Sequence, residues 1–253
     1  MTWHTVAWSE ATASGTLQPI AAVPDDQVFT SGDDVRIPTG LSALLGAFAL
    51  GLAPTRARIV APSLRAFANF EIAPKIVSET TPDLAPNRLL TMMRDPLPLA
   101  VGEFVNFESD AGDGTDSDVC GVAMLGEGPV QPVTGQFRTL RATASITGTQ
   151  RAWASEQVIF SEDLPAGRYQ VIGARCEADQ PGAFRLIFRE GGPRPGALSV
   201  LTDAGGDIPG QRMGGWGVWG EFDINQPPTL EVLSLGAAGA AQVLYLDLIR
   251  IGG

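Results

Sequence analysis

The densest collection of groups able to do chemistry is FESDAGDGTDSD at 107–118, which sets Glu108, Asp110, Asp113, Asp116 and Asp118 within 11 positions. Calcium takes about six to eight oxygens from a flexible loop, and acids spaced by glycine supply them. The spacing lacks the fixed glycine and terminal glutamate of the helix-loop-helix calcium pattern, so a solvated acidic loop and a Ca²⁺ site both stand. No other cofactor is expected. His4 is the one histidine, and any Ser-His-Asp or Cys-His relay would have to run through it. It reads as a surface or interface residue near the N-terminus, and no enzymatic activity is expected. Cys120 and Cys176 lie in different halves of the chain, which is neither a disulfide framework nor a zinc pattern.

A second concentration is aromatic. GGWGVWGEF at 214–222 places Trp216, Trp219 and Phe222 among glycines, and AVGEFVNFES at 100–109 places Phe104 in similar surroundings. Exposed, the tryptophans would stack on sugars; buried, all four side chains are anchors of a core or a subunit interface, which is the expectation here.

Charge narrows the partners. The chain carries 28 acids against 17 bases, a formal net charge of −11, and Lys75 is its one lysine. Phosphate-backbone binding depends on clustered positive charge, and no such cluster is present, so direct nucleic-acid contact is not expected. MTWHTVAWSE at the N-terminus has no basic region followed by an apolar stretch, hence no signal peptide is expected. The most apolar run, GLSALLGAFALGLA at 40–53, is shorter than the roughly 20 residues a bilayer span needs. It reads as a buried helix or core segment in a soluble protein made in the cytosol.

These groups must be positioned by something, and composition points to strands. Hydrophobic residues make up 44% of 253 positions, and 30 glycines with 19 prolines suit many short elements joined by turns. Segments also echo one another. LAPTRARIVAP (52–62) resembles LPAGRYQVIGA (164–174) at an offset of 112, FANFEIAPKIV (67–77) resembles PGAFRLIFREG (181–191) at 114, and GEF recurs at 118. Each half closes on an apolar strand, DVCGVAML (118–125) and QVLYLDLIRI (242–251). In the latter Leu244, Leu246, Leu248 and Arg250 point one way and Val243, Tyr245, Asp247 and Ile249 the other; the leucine face is expected to line the core, while Asp247 sits opposite or finds a partner. The expected fold is all-β: two tandem jelly-roll-like β-sandwiches, each of about seven or eight strands. Helix is confined to 40–51 and 86–95. Residues 1–20 form an N-terminal arm, 21–130 the first sandwich and 131–253 the second, with the boundary in LGEGPVQPVTGQ (125–136).

Tandem β-sandwich halves with few catalytic residues resemble the double jelly-roll major capsid proteins of tailless, membrane-containing bacteriophages of the corticovirus and tectivirus type. The resemblance covers roughly residues 20–253 and rests on the internal echo. It implies a structural virion protein: a homotrimer with pseudo-sixfold outline, packed with other capsid proteins in an icosahedral shell around an internal membrane and assembled in the host cytoplasm. A minor capsid, spike or tail component shares the same physics. The alternative is a carbohydrate-binding module, because LPAGRYQVIGARCEA followed by LYLDLIRI looks like the sandwich lectins attached to glycosidases.

Overall fold

The apolar run expected to be helical is a strand: residues 43–51 are extended and all nine are buried. The computed structural model describes residues 3–12, 16–52, 56–67, 70–76, 90–110, 117–178, 182–189, 191–201, 208, 210–235 and 241–252. Among these there is no α-helix; a 3₁₀ turn at Pro62–Phe67 is the helical piece. Of the second expected helix, 86–89 fall outside the described residues, and Leu90–Thr91 form a short strand. The protein is all-β. No described helix is long and apolar enough to cross a membrane.

Eight principal strands carry the first half: β1 (Trp3–Thr12), β2 (Asp34–Arg36), β3 (Ala43–Gly51), β4 (Ala57–Val60), β5 (Phe70–Ile72), β6 (Leu97–Pro98), β7 (Phe104–Ser109) and β8 (Ser117–Gly126). Eight more carry the second: β9 (Arg138–Ser145), β10 (Ala154–Gln157), β11 (Arg168–Ala178), β12 (Gly182–Ile187), β13 (Gly196–Leu198), β14 (Gly220–Asp223), β15 (Thr229–Ser234) and β16 (Ala241–Gly252). In the first half the sheets run β1-β8-β3-β6 and β2-β7-β4-β5; in the second they run β9-β16-β11-β14 and β10-β15-β12-β13. Among these numbered strands, adding eight to each label of the first half reproduces the second; the further two-residue strands Gln18–Pro19, Thr30–Ser31, Lys75–Ile76, Leu90–Thr91, Ile159–Phe160 and Val200–Leu201 bring the sheets to six, six, six and four strands. Among the described residues, no sheet strand before 127–137 pairs with one after it.

The echo in the sequence aligned the wrong strands. β3 begins at Ala43 and β11 at Arg168, β4 at Ala57 and β12 at Gly182, and β7 at Phe104 and β15 at Thr229, 125 positions apart each time. An offset of 112 sets β4 against β11, the next strand over. Successive strands of one sandwich share the same alternation and the same Gly/Pro punctuation, so a slip of one strand still scores. GEF is coincidental: Gly220–Phe222 lie inside β14, whereas Gly102 and Glu103 form the turn before β7. The closing pair, β8 and β16, was matched correctly.

The N-terminal residues are not an arm. β1 pairs along its whole length with β8, and Gln18–Pro19 pair with β7. The β1-β8-β3-β6 sheet is covered on both faces. One face, with Val6, Trp8, Ala47, Ala49 and Ala123, packs on Ile59, Val105 and Phe107 of the sister sheet. The other, with Trp3, Ala7, Phe48, Leu50 and Val122, joins the core of the second half through Phe184, Leu198 and Trp219. A strand buried on both faces reads as continuous apolar sequence. A bulge adds to this: Met124 pairs with Gly46 and Leu125 with Leu44, leaving Leu45 as the extra residue and reversing the alternation there.

Candidate functional site

Two buried groups hold the halves together, and both involve β1. The first is aromatic. Trp3 meets Trp219 edge-on at 4.8 Å and Trp216 at 6.2 Å, while Trp219 stacks on Trp216 and on Phe184. Trp216 and Trp219 are therefore anchors at the seam between the sandwiches, with 3% and 0% exposure, which leaves neither free to stack on a sugar. Phe222 is an anchor too, buried on Tyr169 at 5.7 Å. Phe104 is not: 42% of it is exposed, on the outer face of β7 beside Arg36.

The second group is ionic. β12 and β15 pair so that Arg185 stands opposite Glu231, both on the outer face of their sheet. The Nε of Arg185 donates to Glu231 at 2.5 Å, its Nη1 donates to the Thr5 carbonyl at 2.9 Å and to the carboxylate of Asp25, and its guanidinium lies over Trp153 at 4.2 Å. Arg194 donates to Glu231 at 3.1 Å and to Asp26 at 2.7 Å. His4 completes the group, buried rather than on the surface. Its Nδ1 accepts the Arg194 amide at 3.2 Å, so its proton is on Nε2 and is donated to Asp25 at 3.0 Å. With both ring nitrogens engaged, His4 is a connector between chain segments and not a free base.

Burial would raise the Asp25 carboxyl, but the hydrogen bond from His4 and the charge of Arg185 outweigh it and hold the carboxyl well below the usual range. Asp247 behaves alike on the outer face of β16. Its burial is outweighed by hydrogen bonds from Arg212 (2.7 Å), Thr139 (2.6 Å) and the Met213 amide (2.8 Å), and its carboxyl too is lowered. This clamp fixes the turn that carries Trp216 into the aromatic group. Both cysteines are buried, and burial pushes the thiols up, Cys120 to about 12 and Cys176 further.

No protein-family model matches the chain, and no curated protein matches it. The geometry alone speaks.

The acidic stretch divides. Glu108 is paired with Arg58 at 2.5 Å, and Asp110 accepts the Arg56 amide at 2.8 Å. Asp118 lies in β8, its carbonyl accepting the Leu52 amide at 3.0 Å. Asp113 and Asp116 lie outside the described residues. Sequence reasoning missed Asp25, Arg185, Arg194 and Glu231. The signal was present: AFRLIF and TLEVLSL each put one charge inside an otherwise apolar strand, and such a charge demands a buried partner.

Proposed function

We propose that the chain is a structural virion protein, a double jelly-roll major capsid protein that assembles as trimers in a shell. The supporting observation is the strand order. Among the numbered strands, each half alternates between two sheets in the same order, which is compatible with an eight-strand plan of paired Greek keys. Two such units fused give three chains six similar sides, so a ring closes with half the association steps. The seam favours a rigid block, since tryptophans and buried ion pairs join the sandwiches where a hinge would otherwise lie. Other virion roles share this physics. The carbohydrate reading loses its nominated residues, because Trp216 and Trp219 are interior.

Light scattering on the purified chain at high concentration, with negative-stain imaging of the same sample, tests the assembly. Trimers with a six-sided outline are expected. A monomer at every concentration would contradict the proposal.

A further inference from the structure

At one end of the second sandwich the inner face of a sheet runs on past the core. β16 alternates, so Leu244, Leu246 and Leu248 face inward, and the next inward position is Arg250. On β9, Leu140 stands opposite Leu246, and Arg138 opposite Leu248. Arg250 is the register partner of Tyr169, whose ring is buried on Phe222. Two arginines therefore occupy places where the alternation calls for apolar side chains. Between them lies a cavity of about 690 Å³ lined by Leu140, Leu164, Tyr169 and Leu248, a volume in the usual range for small-molecule sites.

The charge of this mouth is set against that of the chain. Among the described residues no carboxylate lines it, although acids outnumber bases 28 to 17 in the protein. Arg250 gives one Nη2 hydrogen bond to the Ala166 carbonyl at 2.6 Å and has no ion pair among the described residues; Arg138 is exposed, again with none. A guanidinium fork holds a carboxylate or phosphate through paired N–H donors. The leucines behind it offer an aliphatic chain a place out of water.

We propose that this mouth binds single-chain anionic amphiphiles, with the carboxylate or phosphate head between Arg138 and Arg250 and the chain laid on Leu140, Leu164 and Leu248. The proposal does not depend on the capsid reading, and its ligand is the free amphiphile rather than a bilayer surface.

Titration calorimetry on the full chain with decanoate and decyl phosphate tests it, with acetate and decylammonium as controls lacking the tail or the anion. One equivalent of each anionic amphiphile is expected to bind and neither control to bind. Arg138→Gln, at an exposed position, is expected to keep the wild-type melting temperature and to weaken decanoate about tenfold, the scale of one lost charged hydrogen bond. Arg250→Gln should weaken it as much or more. Decanoate binding no better than acetate would overturn the proposal, as would equal affinity in the wild type and the Arg138→Gln/Arg250→Gln double variant. Uptake of several decanoates per chain, insensitive to both arginines, would mark non-specific adsorption and count equally against it.

Discussion

The sheets β1-β8-β3-β6 and β9-β16-β11-β14 hold the same place in their respective sandwiches, yet they live in different surroundings. The first is covered on both faces, one by its sister sheet and one by the other half; the second meets a core on one face and turns Tyr245 and Ile249 outward, half-buried. One plan thus produces two sequence signatures: ALLGAFALG in β3, with every position apolar, and VLYLDLIR in β16, alternating. The difference teaches that burial, not strand order, writes the pattern. It also locates the cost of separating the halves: a whole apolar face and a set of buried charges would be laid open.

The largest expected effects lie at the seam. Arg185→Ala leaves Asp25 buried without its arginine and Glu231 with Arg194 alone, and is expected to destabilise the fold by about 3–5 kcal/mol. Arg58→Ala removes the partly exposed pair to Glu108 and should cost under about 1 kcal/mol; urea denaturation of both variants checks the contrast. Phe48→Ala on β3 empties a fully buried site and is expected to cost about 3–5 kcal/mol, whereas Tyr245→Ala on the outward face of β16 should cost far less. Equal values for the last two would erase the distinction between the sheets.

Smaller effects sharpen it. The Cα of Gly121 on β8 faces the ring of Phe107, and an added Cβ would come within 2.5 Å of that ring; Gly121→Ala should cost about 1–3 kcal/mol in thermal melts. Acid titration reads the charges. Asp25 and Asp247 have folded-state carboxyls below their unfolded value, so their stabilisation is fully present above about pH 5 and is lost as pH falls through and below the ordinary carboxylate range. Asp25→Asn should flatten that acid-side loss while lowering stability at pH 7, as denaturation midpoints across the pH series will record. The smallest change is Phe104→Ser, expected within about 0.5 kcal/mol of the wild type, against a loss of several kcal/mol for Phe222→Ala.

The all-β class, the inward leucines of β16 and the need of Asp247 for a partner were legible because one-sided burial leaves a period of two. β3 was not, since a short continuous apolar run fits a buried helix as well as a strand covered on both sides. β1 was read as an arm because nothing local in MTWHTVAWSE announces a partner, and its partner β8 lies more than a hundred residues on. The echoes did not carry the strand register: LAPTRARIVAP contains β4 and LPAGRYQVIGA the start of β11, strands that differ in place but share alternation and turn residues. The ionic group was hidden by distance along the chain, with Arg185 and Asp25 separated by 160 positions. Only the charges stranded in apolar strands betrayed it.

The central claim is that two copies of one sandwich plan form a single rigid block joined through β1 and the doubly buried sheet. Native-state hydrogen exchange measured strand by strand tests this most directly. The account predicts that amides of β3 and β8 exchange with the same free energy of opening as those of β12 and β15, because neither half unfolds alone. Two separate levels, with β12 and β15 still protected after β3 and β8 have opened, would contradict it.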